Sequence, residues 1–212
     1  MPFITFEGIE GCGKSTQIRR LAEFLATAGV PCTVTREPGG TAAGEEIRSV
    51  LLAPREPALT PLADLMLYAA ARAQHLAEVI EPALAAGSTV LCDRYSDATT
   101  AYQAFASGLP LAHIQHVHAL PGLDRKPDLT LLLDLEAEVG LGRARERQAQ
   151  DGDHLTRFEE EDLQYHRKVR DGYLELARRE PERFAVIDAG GDEDTVFARL
   201  RTVLSSYLGL EG

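Results

Sequence analysis

The sequence predicts an α/β protein with a doubly wound, five-stranded parallel sheet flanked by helices. Five short runs rich in β-favouring residues alternate with longer segments of helical periodicity. The first run leads into a glycine-rich loop and then a helical pattern, as in a strand–loop–helix unit. The fourth run, residues 129–133, is apolar throughout, which indicates a strand buried on both faces of the sheet.

Strands and helices are predicted over most of the chain. The strands are predicted at residues 3–6, 32–35, 89–92, 129–133 and 184–188. Helices are predicted from the glycine loop to Gly29 and at residues 45–52, 62–86, 99–106, 111–120, 136–148, 159–179 and 194–208. Pro82 is expected to kink or break the long helix near its end because proline has no N–H. Since the sequence has no linker or internal repeat, residues 1–212 are predicted to form one domain, with ligands at the carboxyl ends of the strands.

The glycine-rich loop, GIEGCGKS at residues 8–15, matches the phosphate-binding pattern G-x-x-x-x-G-K-[ST]. Backbone N–H groups at the start of a helix curl around a phosphate, and glycines remove the Cβ atoms that would block its approach. Lys14 is predicted to reach the β- and γ-phosphates, and the Ser15 hydroxyl is predicted to bind Mg²⁺. The residues predicted to hold a nucleoside triphosphate are Gly8, Ile9, Glu10, Gly11, Cys12, Gly13, Lys14, Ser15 and Thr16.

Composition and charge are typical of a soluble globular protein, with 44% hydrophobic and 26% charged residues. The net charge of −11 argues against general binding to nucleic acid or to a membrane surface. No apolar run approaches the roughly 18 residues of a membrane span, and we identify no signal peptide. The three cysteines stand far apart without a CxxC pair, as expected of reduced thiols. These features predict a cytoplasmic location.

The strand ends carry candidates for a metal ligand and a second anion site, both of which phosphoryl transfer requires. Asp93 ends the third strand, where a carboxylate can hold Mg²⁺. Arg94 beside it can bind the phosphate of an acceptor, and Arg36 and Arg48 can converge on the same pocket. An isolated Asp–Arg pair at a strand end is more often a surface ion pair, but the neighbouring phosphate loop favours the functional interpretation.

Arg143, Arg145 and Arg147 recur at every second position of the predicted helix at 136–148. This spacing spreads them over one broad side of a helix, so a solvated surface face is the simpler interpretation. The polar residues 148–153 follow directly and predict a mobile connection, which a basic helix end can use to close over phosphates. We therefore predict a lid at about residues 142–157. The six histidines show no metal-ligand spacing and are predicted to be structural or at the surface.

Taken in order, the motifs resemble those of bacterial thymidylate kinases, in the nucleoside monophosphate kinase group of P-loop NTPases. The resemblance covers nearly the whole chain. Its motifs are FEG (6–8) with the phosphate loop, TREPGGT (35–41), YAAAR (68–72), DRY (93–95), AYQ (101–103), PDLT (127–130), LD (133–134) and the arginine-rich stretch. The phosphate loop alone is shared by many functions, whereas the ordered combination is much more specific.

The resemblance implies transfer of the γ-phosphoryl group of Mg-ATP to dTMP, giving dTDP and ADP. It also implies a homodimer, for which the apolar helix at 62–86 is a candidate interface. A kinase of the same fold that acts on a nucleoside or on another monophosphate is the nearest alternative. A P-loop switch protein is a second alternative, but the sequence has no guanine-reading Asn-Lys-x-Asp run.

The resemblance also implies roles for residues of the nucleoside pocket. Tyr68 stacks on thymine and Arg72 donates to a base carbonyl; one helical turn apart, they can frame one base. Core packing is the alternative for Tyr68. Thr99 and Gln103 line the base, and Tyr102 crowds the 2′ position of the sugar.

Further implied roles concern charged residues near the phosphates. Glu10 matches an acidic residue near the 3′-hydroxyl, and Arg48 and Arg94 match ligands of the dTMP phosphate. Glu37 and Glu7 match carboxylates of the acceptor and magnesium region.

The catalytic arginine is expected in the lid because positions 9–12 carry no basic side chain. Arg147 is the first choice, followed by Arg143 and Arg145. Arg143 is alternatively expected to lie against adenine, together with residues 189–191.

Overall fold

The computed structural model describes residues 1–151 and 161–210, except for the side chains at positions 147, 148, 150 and 151. Its five strands form one parallel sheet with the order β2-β3-β1-β4-β5. The strands are β1 Phe3–Glu7, β2 Cys32–Arg36, β3 Thr89–Asp93, β4 Leu129–Asp134 and β5 Phe184–Asp188. The predicted α/β fold with five parallel strands is confirmed.

The register of the sheet decides where the functional groups meet. Strand β1 lies between β3 and β4, and Phe6 near its end is opposite Asp93 at the end of β3. The phosphate loop therefore begins beside the last residue of the neighbouring strand. This is the edge of a parallel sheet at which ligands bind.

Helices flank the sheet and supply the remaining walls of the site. They are α1 Lys14–Thr27, α2 Ala42–Leu52, α3 Pro61–His75, α4 Glu81–Ala85, α5 Ser96–Thr99, α6 Leu111–His118, α7 Ala137–Asp151, α8 Leu163–Arg179 and α9 Glu193–Leu208. Within the described ranges, no helix is both long enough and apolar enough to span a membrane.

The predicted long helix at 62–86 is interrupted earlier than expected. A π-helical turn, Leu76–Ile80, separates α3 from α4, and Pro82 lies in the first turn of α4. A proline ring clashes with the carbonyl group four residues earlier, which here belongs to Glu78 inside the π-helical turn. Regular helical hydrogen bonding therefore fails before the proline rather than after it.

The predicted helix at 99–106 is divided into α5 and a π-helical segment, Thr100–Ala106. Helix α8 packs closely against this segment, since a Cβ atom at Gly172 would lie 2.8 Å from Cβ of Phe105. This approach brings the rings of Tyr165 and Tyr173 each to 6.3 Å from the ring of Tyr102. The wider π-helical turn and the glycine contact together set the position of Tyr102.

The predicted lid, residues 142–157, lies only partly within the described structure. Helix α7 continues to Asp151, so the arginine-rich stretch is helical as predicted. The side chain of Arg147 and all of residues 152–157 lie outside the described part, as do the first two residues of the helix predicted at 159–179.

Candidate active site

The phosphate loop depends on glycine where its backbone touches helix α7. Gly11 has a φ of +70°, and a Cβ atom there would lie 2.0 Å from the carbonyl oxygen of Gly140. Gly13, with a φ of +92°, directly precedes the first residue of α1. Only glycine adopts such φ values at low cost, so these two positions fix the curl of the loop at the start of α1.

Lys14 places its ammonium group inside the loop. Its Nζ atom donates to the carbonyl oxygens of Gly8 at 3.0 Å and Ile9 at 2.9 Å. It also lies 3.4 Å from Sγ of Cys12, which is buried. These three contacts fix the ammonium group of Lys14 within the phosphate loop, where a phosphate would approach.

Ser15 in the first turn of α1 and Asp93 at the end of β3 bring two side-chain oxygens together. The Ser15 hydroxyl donates to Oδ2 of Asp93 at 3.0 Å. Oxygen ligands suit Mg²⁺, which keeps several waters and binds through one or two protein groups plus phosphates. In the described part of the chain, no group of three or more His, Cys, Asp and Glu side chains could hold a metal by itself. The pair thus fits a magnesium ion shared with a nucleotide.

Glu7 lies beneath the phosphate loop and is fully buried. Its Oε1 accepts from the backbone N–H of Tyr95 at 2.7 Å, and its Oε2 accepts from the hydroxyl of Tyr173 at 2.8 Å. Burial, and to a lesser degree the charge of Asp97, raise the pKa of Glu7 to about 8, although Arg94 opposes this shift. Both oxygens of Glu7 already accept hydrogen bonds from protein groups, and its place in the metal site stays a prediction.

The raised pKa of Glu7 predicts a pH effect on stability. Between its unfolded value near 4.5 and its folded value of about 8, the folded protein keeps a proton that the unfolded chain releases. The free energy of unfolding should therefore fall as pH rises through this window, by at most about 1.4 kcal/mol per pH unit. Urea unfolding followed by circular dichroism should show a smaller fall between pH 5.5 and 7.5 in Glu7→Gln than in the native chain. Identical pH dependence in the two proteins would contradict a protonated Glu7.

Arg94 joins three parts of the site through its guanidinium group. Nη1 donates to the Gly8 carbonyl at 2.9 Å and to the Tyr173 hydroxyl at 3.1 Å, and Nη2 donates to Oε1 of Glu10 at 2.9 Å. The group also lies 5.0 Å from the ring centroid of Tyr102. Its backbone has a φ of +66°, a conformation that costs energy in a residue with a Cβ atom. Such strain in a residue held by so many partners is typical of a functional position.

Glu10 is an ionised carboxylate at the wall of the site. Its Oε1 accepts from the hydroxyl of Tyr102 at 2.6 Å as well as from Arg94, and its Oε2 lies 3.5 Å from Nδ1 of His166. Burial alone would raise the pKa of Glu10, but Arg94, His166 and Lys14 together hold it well below its usual range. The carboxylate therefore remains an acceptor for a ligand hydroxyl at any physiological pH.

Glu37 is buried and orients two other side chains. Its Oε2 accepts from Nε of Arg72 at 2.8 Å, and its Oε1 lies 3.0 Å from Nδ1 of His75. The other ring nitrogen of His75 lies 2.6 Å from the hydroxyl of Thr35. Glu37 lines the cavity described below, but its oxygens are committed to Arg72 and His75 rather than to a metal.

Arg72 is almost fully buried, and each of its guanidinium nitrogens has a protein partner. In addition to the Glu37 contact, Nη2 donates to the Thr99 hydroxyl at 2.9 Å and Nη1 lies 3.1 Å from Nε2 of His118. The ring of Tyr95 lies 4.8 Å below the group. Arg72 is thus fixed in one orientation at the wall of the cavity.

These side chains surround a cavity of about 260 Å³, here called the central cavity. It brings together most of the residues that the sequence predicted for the site, from both the phosphate loop and the second subsite. Those residues are Glu10, Gly11, Gly13, Lys14, Ser15, Thr16, Glu37, Arg48, Tyr68, Arg72, Asp93, Arg94, Thr99, Tyr102 and Gln103. The side chain of Arg48 is positioned by a hydrogen bond that its Nη1 donates to the Pro38 carbonyl at 2.9 Å.

Arg36 lies on the other side of the Ser15–Asp93 pair. Its Nη2 donates to Oε2 of Glu45 at 2.9 Å, and both residues line a separate groove along α1 and β2. Arg36 does not itself line the central cavity. Burial and, next to it, the charge of Arg36 lower the pKa of Arg48, so the two guanidinium groups are close enough to interact.

The α7 arginines differ in what they contact. Nη2 of Arg143 lies 3.3 Å from the Gly191 carbonyl, so the structure brings Arg143 to the loop at 189–191 that the sequence paired with it. Arg199 holds the same loop through the carbonyl groups of Asp188 and Gly190, both at 2.7 Å. Arg145 is exposed, and the side chain of Arg147 lies outside the described residues.

Several residues of the site were not predicted. Tyr95, Pro38, Leu52 and Ala98 line the central cavity, and His118, His166 and Tyr173 contact the residues that line it. Tyr95 and Pro38 belong to the DRY and TREPGGT motifs, so the sequence could have indicated that they lie at the site. His166 and Tyr173 of α8 belong to no such motif, and only the tertiary fold brings them close to the phosphate loop.

A phosphate loop that faces a second, arginine-lined subsite across one cavity defines a P-loop kinase of the nucleoside monophosphate kinase type. The sequence matches the family model for thymidylate kinase over residues 6–200. The chain belongs to the thymidylate kinase family. Enzymes of this family phosphorylate dTMP to dTDP with ATP as the phosphoryl donor, and the chain is a kinase of this reaction.

Curated relatives and a solved structure agree with the family match. The thymidylate kinase of Desulfosudis oleivorans is 53% identical over 95% of this chain and 95% of its own. That of Trichlorobacter lovleyi is 57% identical over 88% of this chain and 89% of its own. The crystal structure of thymidylate kinase from Ehrlichia chaffeensis is 33% identical, with a TM-score of 0.75 over 96% of this chain and 98% of that one.

Proposed function

We propose that this chain carries out the transfer in the central cavity, as a cytoplasmic enzyme, with the phosphate loop holding ATP and the Arg72 side holding dTMP. The observation that carries this proposal is the single cavity that Lys14 and Arg72 both line. Two anionic substrates bound there would meet between Lys14, Arg48 and Arg94, where positive charge is concentrated.

On the donor side, the backbone N–H groups of residues 8–16 and the Lys14 ammonium would bind the phosphates. The Ser15 hydroxyl and the Asp93 carboxylate would hold Mg²⁺, which when bound neutralises charge on the phosphates. Arg143 and the loop at 189–191 would lie beside the adenine.

On the acceptor side, Arg72, Tyr68, Thr99 and Gln103 would frame the thymine base. A guanidinium held on three sides has a fixed direction for its remaining N–H groups, which suits recognition of one carbonyl. Arg48 and Arg94 would bind the phosphate of dTMP; we leave Arg36 out of this set because it does not line the central cavity.

The sugar would lie against Glu10 and Tyr102. The ionised Glu10 can accept from the 3′-hydroxyl of a deoxyribose. The Tyr102 hydroxyl is fixed by Glu10 at 2.6 Å, so its ring cannot move aside for a 2′-hydroxyl without breaking that bond. This arrangement favours deoxyribose over ribose.

The transfer itself needs neither a protein nucleophile nor a general base, because the attacking oxygen of dTMP is already an anion. Catalysis then consists of positioning and of charge neutralisation. We assign the mobile positive charge to an arginine of α7, with Arg147 first and Arg143 and Arg145 after it, since positions 9–12 carry no basic side chain.

The test is an ADP-release assay with Mg-ATP against dTMP, dUMP, UMP, dCMP, AMP, thymidine and no acceptor. Strong turnover with dTMP, weaker turnover with dUMP and little with UMP is expected. Turnover with thymidine but not dTMP would contradict the phosphate role of Arg48 and Arg94. ADP release that ignores every acceptor would contradict the whole assignment.

We further propose that the chain is a homodimer that pairs through α3. Leu62 and Met66 stand one turn apart on this helix, and their side chains are 52% and 48% exposed. Adjacent exposed apolar side chains on one helix face are typical of an interface.

Met66→Lys is therefore expected to shift sedimentation from dimer to monomer at micromolar concentration, because a charge on this face would have to lose its water on pairing. Tyr207→Lys, which places the same charge at a 44% exposed position on α9, is the matched control and should remain dimeric. If Met66→Lys sediments like the control, α3 is not the interface.

A further inference from the structure

Arg72 and His118 make a contact that the sequence did not indicate. We propose that His118 is a positioning residue for base recognition: it holds Nη1 of Arg72 from outside the central cavity. This inference rests on the proposed role of Arg72 in binding the thymine of dTMP.

The hydrogen bonds of Arg72 explain why such a residue is needed. A guanidinium has five N–H donors: one on Nε and two on each terminal nitrogen. Glu37 takes the donor on Nε, Thr99 takes one on Nη2 and His118 takes one on Nη1. Within the described part of the chain, one N–H on each terminal nitrogen is left for a ligand. The three protein contacts together set the direction of these two N–H groups.

His118 must accept this bond, because every N–H of a guanidinium is a donor. The imidazole is therefore neutral, with its proton on Nδ1. Burial, and secondarily the charge of Arg72, lower the pKa of His118 to about 3, so the ring stays an acceptor throughout the neutral range. A neutral acceptor orients Arg72 without adding a second negative charge to that of Glu37, and so leaves the guanidinium free to attract a carbonyl oxygen.

The position of His118 in the fold suits this role. It is the last residue of α6, and it is partly buried, whereas His116 on the same helix is exposed and contacts the Ala112 carbonyl in its own helix. Loss of the His118 ring nitrogen would leave a buried donor of Arg72 unpaired. The guanidinium, then held only by Glu37 and Thr99, would shift or recruit water to satisfy that donor, and its remaining donors would lose part of their alignment with the base.

The test compares His118→Leu, His118→Gln and His116→Leu in the full chain. Steady-state kinetics should show a roughly tenfold rise in KM for dTMP in His118→Leu, as expected for loss of a hydrogen bond to a charged donor. Its kcat and its KM for ATP should stay within about twofold of the native values. His118→Gln, which can present an amide oxygen to Arg72, should recover most of the dTMP affinity, and His116→Leu should match the native enzyme.

The link to Arg72 is tested in an Arg72→Ala background, where His118→Leu should cause no further rise in KM for dTMP. An equal rise in that background, or a dTMP KM in His118→Leu that matches His116→Leu, would overturn the inference. If His118→Leu does not fold, His118→Ser is used instead, because its side chain is too short to reach Arg72 and the same result is expected. A native chain that does not phosphorylate dTMP at all would instead refute the proposed function, so the two failures are distinguishable.

Discussion

Lys14→Ala is expected to lower kcat for dTMP phosphorylation by at least about 10³-fold while the protein stays folded. The native ammonium group lies between the Gly8 and Ile9 carbonyls, where it would neutralise charge on the transferring phosphoryl group. Alanine keeps the helix but removes the only cation within the phosphate loop sequence. Single-turnover phosphorylation of dTMP would measure the chemical step, and circular dichroism would verify the fold.

Lys168→Ala is the matched control for this variant. Lys168 is exposed on α8, so its removal changes the net charge equally but should leave kcat within about twofold. If Lys14→Ala turns over as fast as the control, Lys14 has no part in catalysis.

Arg94→Lys is the second variant with a large expected effect, a fall in kcat/KM for dTMP of about 10²-fold. Arg94 uses two terminal nitrogens to join Gly8, Tyr173 and Glu10, and a lysine ammonium cannot reproduce that planar fork. Both residues have a Cβ atom, so the backbone cost of the positive φ is the same and the comparison isolates the head group.

Arg19→Lys provides the control for this change. Arg19 forms an exposed ion pair with Glu23 on α1, where a lysine can serve equally well. We expect native kinetics for Arg19→Lys. A kcat/KM for Arg94→Lys within threefold of that control would show that charge alone, and not the fork, is what the site requires.

The strands and the phosphate loop were predictable from the sequence because their signals are local. A buried strand is visible in its own apolar run, and the loop is visible in eight consecutive residues. The two π-helical segments were not predictable in the same way. The break before Pro82 and the segment that carries Tyr102 depend on hydrogen bonding that shifts by one residue, and the period of the apolar pattern does not record such a shift.

The location of a site residue was predictable where the residue stands inside a recognised motif, as for Lys14, Asp93 and Arg72, which all line the central cavity. The sequence says less about a residue whose side chain is held by a partner outside its own motif. Arg36 pairs with Glu45 and Glu7 accepts from Tyr173, and neither residue lines the central cavity. Sequence motifs give the identity of such residues but not the direction of their side chains.

The bond between Glu7 and Tyr173 also has a consequence for how the enzyme becomes active in the cell. The two residues are 166 positions apart, so at roughly 5–20 residues per second the ribosome makes the second on the order of ten seconds after the first. During that interval the phosphate loop exists without the helix that supports Arg94 from below. We expect stalled nascent chains that end before α8 to have no kinase activity, although they already contain the complete phosphate-binding motif.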